Sequence, residues 1–573
     1  MAETRNDQEK AKQINSYFTY LKKVRQPFEE TIDDILEFVR RSRKINDSTK
    51  GNKITKNVYD GTATGALNLW ADGMYGYIYG LETWFSLILP NIIQFPRFST
   101  MRRFSGKRLD EVPEVGIWLE NTTEVLRAAF RRGNFYAAMP QFLRDGGSVG
   151  TAALYVQEDI VTGKTTYTPL HFREIFIDRD HLGNVDVLFR KYKLTLRQMV
   201  QKWGLQTVLD IEPGMKLKLE NNEHQEMPLL HAVYPRKEYD PSARDNKNMP
   251  WASCWKLEGS GEKIIQESGY PYFPFIVWGY RRETDEIYAR SPAWDAYVEI
   301  GLANQQGRSN LIAGQKMAEP PMIGPNGLRG KVHSGPKGWT WVDGKLDVGS
   351  IPTPLVTGIN LPYALEMQDR TAQVIEKHYN VPFFLMLSQA AYNKVQLTAT
   401  QVIQMAGEQA AVLATRTDTL NIEASNPIID VQFEIEKEAG RLPEPPDILL
   451  EYSGAQIEVD YLGPLAQARK TMFETQGIRA GIELAGQIGM VFPESLRVID
   501  GDDLMRRSLK ATAFPATSIR SPEKVEEINQ AMQKQLQDQQ AMEGIETISK
   551  AIPKAGKAPE EGSPLANIMG GGV

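Results

Sequence analysis

The chain has 573 residues, 41% hydrophobic and 24% charged, so it is long enough for several domains and has the composition of an ordinary folded protein. Its 66 Lys and Arg against 72 Asp and Glu give a formal charge of −6, which argues against tight binding of nucleic acid but would let duplex DNA slide past a mildly repulsive wall. The single cysteine, Cys254, excludes an internal disulfide and zinc sites built from several cysteines, and it favours a reducing compartment.

The first residues, MAETRNDQEK, lack the cationic and then apolar pattern of a secretory signal, and no apolar run is long enough to cross a bilayer. We therefore expect a soluble, unexported protein that does not contact a membrane. Residues 6–43 predict two helices, the second beginning at Pro27, and further helices are predicted at 62–80, 113–132 and 134–144.

Alternation of apolar and polar residues next predicts strands at 150–157, 165–170, 173–178, 184–192, 229–236, 253–258 and 273–280. Turn signals separate them, which indicates an antiparallel β unit. The segment GGSVG, 146–150, is interpreted as a helix-to-strand turn, and TLRQMVQKWG, 195–204, as a short helix that ends on its glycine.

Ser291 and Pro292 predict the N-cap and first position of a helix that extends to about Met317. A turn-rich insert follows at 320–360, and a second helix is predicted at 364–379. Thr398 and Gln401 predict a capping box at the head of a long helix that Pro427 should kink. Strands are predicted at 448–454 and 455–462, then helices from 464, around 502–508 and from 522 to about 541.

Two segments resemble known ligand loops. TGKT, 162–165, resembles the end of a phosphate-binding loop, but that motif needs a glycine where Glu158 stands, so a hairpin turn is favoured. The segment beginning at Asp178 resembles a calcium loop, but its twelfth position is Phe189 rather than Glu, and a hairpin is again favoured. Six scattered histidines have no metal-ligand spacing, so we expect no metal, no cofactor and no catalytic site.

Other conspicuous residues have ordinary interpretations. The arginine pairs 131–132 and 281–282 are interpreted as solvated or ion-paired rather than phosphate-binding. Taken alone, Lys394 would be a solvated loop lysine. The tryptophans on apolar patterns are interpreted as core rather than as a sugar or base site: Trp70, Trp84, Trp118, Trp278 and Trp294.

Several segments, in this order, resemble portal proteins of short-tailed bacteriophages, the head-to-tail connector family: GMYGYIYGLETWFSL, GSVGTAALYV, TLRQMVQKWG, YARSPAWDA, QLTATQV, VDYLGPLAQARK and IRSPEKV. The resemblance covers about residues 6–540, and VDYLGPLAQARK and TATQV carry most of it. Ala289 departs from the glycine usual in the family, which predicts only a local change where the helix at Ser291 begins.

The resemblance implies a predominantly helical α+β portal fold, with wing, stem, clip and crown regions, in a ring of twelve identical subunits around an axial channel for double-stranded DNA. The implied regions are 1–290, the wing with its helical N-terminal part and antiparallel β unit; 291–319, a stem helix; 320–361, the clip; 362–386, the second stem helix; 387–397, the channel loop; 398–463, the long kinked helix and wing strands; 464–550, the crown helices; and 551–573, a disordered tail.

The resemblance also implies a non-enzymatic component of the virion at the unique portal vertex, assembled in the host cell cytoplasm. Its implied partners are double-stranded DNA bound without sequence preference, the terminase packaging motor, tail adaptor proteins, and the major capsid and scaffold proteins. The clip residues expected to dock motor and tail are Lys331, His333, Lys337, Trp339 and Trp341. The channel-loop residues expected to face DNA are Ser388, Gln389, Tyr392, Asn393, Lys394 and Gln396.

In a ring, one Lys394 from each subunit would form a belt of positive charge that contacts phosphates without reading sequence. Two alternatives to the portal function stay open from the sequence. One is a DNA-packaging NTPase that uses the TGKT loop, and the other is a different structural component of the virion.

Overall fold

The computed structural model describes residues 2–40, 57–89, 113–159, 161–212, 214–240, 245–258, 264–323, 353–354, 360–385, 411, 413–447, 449, 457–466 and short stretches between 484 and 535. The chain divides into two units. The first comprises 1–90, 118–445 and 452–479, and the second comprises 91–117, 446–451 and 480–573.

The first helix, α1, runs without a break from Ala2 to Phe38 and contains Pro27 in its interior. The prediction of two helices for this segment is wrong. A proline costs one helical hydrogen bond, but apolar side chains on both sides of Pro27 are buried against the β unit and hold the two halves in line. These side chains are Ile14, Phe18 and Leu21 before the proline, and Ile32 and Leu36 after it.

Three more helices precede the sheets: α2 (Thr62–Ile78), α3 (Pro113–Arg132) and α4 (Phe135–Val149). Residues 146–149 lie inside α4 and only Gly150 lies beyond its end, at the C-cap with φ 98°, so the interpretation of GGSVG as a helix-to-strand turn is wrong for its first four residues. A methyl group on Gly146 would lie 2.3 Å from the indole of Trp278, and one on Gly147 would lie 2.5 Å from the indole of Trp70. The lack of a side chain at the two glycines therefore leaves room in the core for the two indole rings.

The predicted antiparallel β unit is confirmed, and it consists of a three-stranded sheet in the order β3-β2-β9 and a five-stranded sheet in the order β4-β5-β6-β7-β8. All neighbouring strands are antiparallel. The strands are β2 (Thr151–Asp159), β3 (Lys164–Leu170), β4 (Ile175–Arg179), β5 (Val185–Thr195), β6 (Glu226–Pro235), β7 (Trp251–Leu257), β8 (Ile264–Tyr270) and β9 (Phe275–Gly279).

A small helical insertion connects β5 to β6. It contains α5 (Leu196–Trp203), α6 (Leu205–Leu209) and α7 (Met215–Asn221). The predicted helix at 195–204 is confirmed: Thr195 and Gln198 form a capping box, and Gly204 ends the helix with φ 83°.

Three helices follow the β unit, because the first of the two predicted helices is interrupted at Ala296. Ser291 caps the short α8 (Pro292–Asp295), its Oγ accepting from the backbone N–H of Trp294. After Ala296 the chain continues as α9 (Tyr297–Ala318), and the partner helix α10 runs from Leu361 to His378. Two short antiparallel strands, β10 (Met322–Ile323) and β11 (Thr353–Pro354), lie between them in sequence.

The described part of the long helix runs from 413 through a π-helical turn, Asn421–Ser425, into α11 (Asn426–Glu438). The strand β12 (Glu458–Tyr461) then pairs with β1 (Phe85–Ile88), which confirms the predicted strand at 455–462. In the second unit Leu449 is helical, so the strand predicted at 448–454 is wrong at this residue. The described residues between 484 and 535 are helical.

Candidate functional site

The predicted DNA-facing residues of the loop, 388–396, and the predicted docking residues of the clip, 331–341, lie outside the described residues. Their roles stay predictions. The two helices on either side of the clip are described, the second of which also precedes the loop, and these two helices and their contacts form the candidate site.

The helices α9 and α10 are joined by side-chain hydrogen bonds. The Asn310 side-chain amide donates to Gln368 Oε1 over 2.7 Å and lies 3.5 Å from the Ala364 carbonyl oxygen. Where α9 is followed by β10 and α10 is preceded by β11, the two strands pair antiparallel. The two helices, which the sequence predicted at 292–317 and 364–379, thus form one hairpin-like pair.

Both helices expose apolar side chains. On α9, Val298 is 73% exposed, and Leu302 and Ile312 share its face because a helix has about 3.6 residues per turn. On α10, Tyr363 is 60% exposed and Val374 is also exposed. Exposed apolar side chains grouped on long elements are typical of surfaces that another chain covers.

A polar clamp ties the chain before α2 to this helix pair. The Asn304 amide accepts from the Tyr59 N–H over 2.7 Å and donates to the Asn57 carbonyl oxygen over 3.2 Å. Gln368 on α10 donates to Asp60 over 3.4 Å. The residues preceding α2 are therefore held against both helices at once.

The long helix widens into the π turn just before Pro427, where the sequence predicted a kink. The Asn426 N–H bonds to the Asn421 carbonyl, five residues back. Proline lacks an N–H and its ring obstructs the carbonyl one turn earlier, which explains an irregularity at this point. Ser425 is held by a 2.8 Å hydrogen bond with the Tyr79 hydroxyl, and Glu423 accepts from the Gly279 N–H over 2.8 Å.

A buried carboxylate, Glu436, links α11 to the β unit. Its side chain is 1% exposed, and it accepts from Gln432 over 2.8 Å and pairs with Arg132 at 3.3 Å and with Arg441. Gln432 in turn accepts from the Tyr167 hydroxyl. Hydrogen bonding to Glu436 raises the pKa of Arg441, so the guanidinium stays charged.

The arginine pairs form ion pairs within the chain, in line with their predicted interpretation. Arg131 pairs with Glu124 at 2.8 Å, and Arg281 pairs with Asp295 through two hydrogen bonds. The tryptophan predictions are confirmed for Trp70, Trp84, Trp118 and Trp278, which are buried, whereas Trp294 is half-buried.

The TGKT segment forms the hairpin turn between β2 and β3. The Asp159 carboxylate accepts from the Val161 N–H over 3.1 Å and from the Thr162 hydroxyl over 2.7 Å, and Gly163 has φ 62°. The hydrogen bond from Thr162 lowers the pKa of Asp159. Phosphate loops instead lead from a strand into a helix whose N-terminus faces the anion, so this geometry favours the hairpin interpretation.

The segment with a calcium-loop resemblance is also a hairpin, between β4 and β5. Asp180 accepts from the Leu182 and Asn184 N–H groups over 2.9 and 2.8 Å, and Gly183 has φ 90°. Among the residues that the structure describes, no group of three or more His, Cys, Asp and Glu could hold a metal ion. Within the same residues, no helix is both long and apolar enough for a membrane span.

Asn304 and Glu436 contribute to these contacts, and the ring of Phe384 lies on Gly73 of α2, but the sequence alone singled out none of the three. Two of them are polar residues inside helices that also carry apolar positions, and polarity at such positions is a weak signal without the partners in view. The signal for Phe384 is indirect. Helix α2 contains several glycines, and one of them, Gly73, is the residue on which the Phe384 ring lies.

Together these features define a mixed helix and sheet protein with a large antiparallel β unit and a pair of long helices that carry exposed apolar side chains. The chain matches the family described as "Bacteriophage head to tail connecting protein" over residues 11–519, and it belongs to this family. The resemblance to phage portal proteins is thereby confirmed.

Two relatives extend this result. The chain is 28% identical to the "Portal protein" of Salmonella phage epsilon15, over 98% of this chain and 100% of that protein. It is 27% identical to the "Probable portal protein" of Bordetella phage BPP-1, over 80% of this chain and 79% of that protein.

Proposed function

We propose that the protein is a portal subunit that forms an oligomeric ring at one capsid vertex, through which double-stranded DNA is packaged and ejected. The observation that carries the proposal is the family match along 11–519, together with a relative named as a portal protein that aligns over its full length. The exposed apolar faces of α9 and α10 support it, because a closed ring needs one face of each subunit to meet a different face of the next.

In this proposal α9 and α10 are the stem, 320–361 is the clip that docks the terminase motor and later the tail adaptors, and 387–397 is the channel loop. Lys394 contacts phosphate from the ring's inner side. Because the chain as a whole is acidic, the DNA would touch a narrow basic belt in a repulsive tube and would not be held tightly. The protein itself breaks no bonds.

A ring of twelve subunits of 64.6 kDa would have a mass of roughly 775 kDa. Negative-stain images of the purified protein should show rings with a central hole, and mass photometry should give the corresponding mass. Monodisperse monomers at high concentration would contradict the proposal.

The channel loop has its own test. Deleting residues 389–394 should leave rings intact and reduce the DNA that particles package or retain. Lys394→Gln should reduce the salt dependence of DNA retention in rings, since it removes one phosphate contact per subunit. Normal genome filling and retention by the deletion variant would refute the loop assignment.

A further inference from the structure

Gly73 lies in the interior of α2, where glycine is unfavourable relative to alanine and usually has a packing reason. A methyl group at this position would lie 2.3 Å from Cδ1 and 2.8 Å from Cγ of Phe384. The ring of Phe384 therefore lies directly on the helix backbone. Gly65 and Gly76 in the same helix have no described atom within 4 Å of such a methyl, so the close approach belongs to Gly73.

Two more aromatic residues complete this contact. Tyr77, one turn after Gly73, lies with its ring centroid 5.7 Å from that of Phe383 and 5.9 Å from that of Phe384. Phe383 and Phe384 meet edge to face with centroids 4.8 Å apart. We call Gly73, Tyr77, Phe383 and Phe384 the aromatic seat.

The seat holds the chain just after the end of α10. Tyr379 is fully buried and its hydroxyl lies 3.4 Å from the Gly147 carbonyl oxygen, and Val381 is buried two residues later. Between them Asn380 has φ 53°, a left-handed conformation that ends the helix. The chain thus turns at Asn380 and is fixed again at Phe384.

Helix α2, which the Phe384 ring contacts, is itself held in place by buried side chains. Trp70 and Met74 of α2, on either side of Gly73, are buried in the core. Trp70 meets Tyr280 edge to face at 5.7 Å, which ties α2 to the segment that follows β9. The seat therefore joins the chain after α10 to a buried part of the first unit.

We propose that Phe384, seated on Gly73, is a positioning residue that fixes where the chain leaves the second stem helix. The inference rests on the proposed function, because Leu387, where the proposed channel loop begins, follows shortly after in the sequence. A displacement at this joint is passed on to the residues that follow it. The seat acts through position alone and does not touch DNA.

The test uses Gly73→Val, Phe384→Ala and the double variant, with Gly76→Val as the matched control in the same helix. Each variant is examined for rings by negative-stain microscopy, and particles that carry it are assayed for nuclease-protected genome by quantitative PCR. We expect rings from all variants, a loss of protected genome with Gly73→Val and with Phe384→Ala, and wild-type protection with Gly76→Val.

The double variant separates positioning from general damage. If Gly73→Val acts by displacing the Phe384 ring, it causes no further loss of protected genome in the Phe384→Ala background. The inference is overturned if Gly73→Val particles are as full as wild type, if both substitutions reduce protection by independent factors, or if Gly73→Val rings do not assemble. Wild-type protein that forms no rings would instead contradict the proposed function.

Discussion

The Arg441 side chain donates from Nε to Glu436 Oε2 over 2.5 Å, and this joins a residue three positions beyond the end of α11 to a carboxylate that is 1% exposed. The Arg441 Nη2 atom also lies 2.9 Å from Glu158 on β2. A single arginine thus ties the C-terminal end of α11 to the three-stranded sheet.

We expect Glu436→Gln to destabilise the protein by about 2–3 kcal/mol, because it leaves Arg441 and Arg132 without their buried carboxylate partner. The control is Glu434→Gln, whose exposed carboxylate pairs with Lys437 on the same helix turn at 3.2 Å. Its effect should stay within about 0.5 kcal/mol. Urea unfolding followed by circular dichroism measures both, and equal effects would show that the Glu436 network contributes no special stability.

His231 gives a prediction of pH dependence. It is fully buried, with its ring stacked on Trp255 at 3.6 Å and Nε2 2.9 Å from Ser253 Oγ. Burial, and then the charges of Lys202 and Arg190, lower its pKa well below the ordinary value. The folded protein therefore keeps the imidazole neutral where the unfolded chain would protonate it.

The sign of the effect follows from this difference. Above the unfolded pKa of about 6.5 both states are neutral and stability is complete, and below it only the unfolded chain gains a proton, so stability falls by up to about 1.4 kcal/mol per pH unit. His231→Phe should make the stability curve less steep between about pH 6.5 and 4.5 than the wild-type curve. Parallel curves for wild type and His231→Phe would contradict the prediction.

Local sequence signals were sufficient for the elements whose structure is decided locally. The short helix that ends on Gly204 and the hairpins with Gly163 and Gly183 lie where the sequence predicted them. Features decided by distant contacts were missed. The Pro27 region stays helical because the β unit buries both of its flanks, and that burial is invisible in a local window.

The strand β8 was not predicted from the sequence, and it illustrates a second reason why an element can be missed. Its residues Gln266 and Glu267 are polar, so no clean alternation signals a strand, but Glu267 is held by Lys10 at 2.9 Å and by Arg236 at 3.0 Å. The partners come from α1 and from the end of β6. For the candidate site, the paired helices were predictable from caps and periodicity, whereas Gly73 and Phe384 become partners only in the fold.

Replacing a glycine inside a helix by alanine should change the stability of the protein in opposite directions at two sites. Gly76→Ala in α2 should stabilise the protein by about 0.5–1 kcal/mol, since a methyl there meets no described atom within 4 Å and alanine is the better helix former. Gly146→Ala in α4 should destabilise it by about 1–3 kcal/mol, because its methyl would lie 2.3 Å from the Trp278 ring. Thermal unfolding shows whether each variant is more or less stable than the wild type. Stabilisation by both would show that the Trp278 ring can move away from the added methyl group at no cost in stability.

The apolar face of α9 gives the last prediction. If neighbouring subunits cover Leu302, then Leu302→Glu places a carboxylate in an apolar contact, and rings should be replaced by monomers or small oligomers at the same protein concentration. The melting temperature of the dissociated chain should change little, because the side chain is exposed in a single subunit. Leu217→Glu on α7, a position 64% exposed and outside the helix pair, should assemble like wild type. Mass photometry of the three proteins decides the matter, since full-size rings from Leu302→Glu would place the subunit contact on another surface.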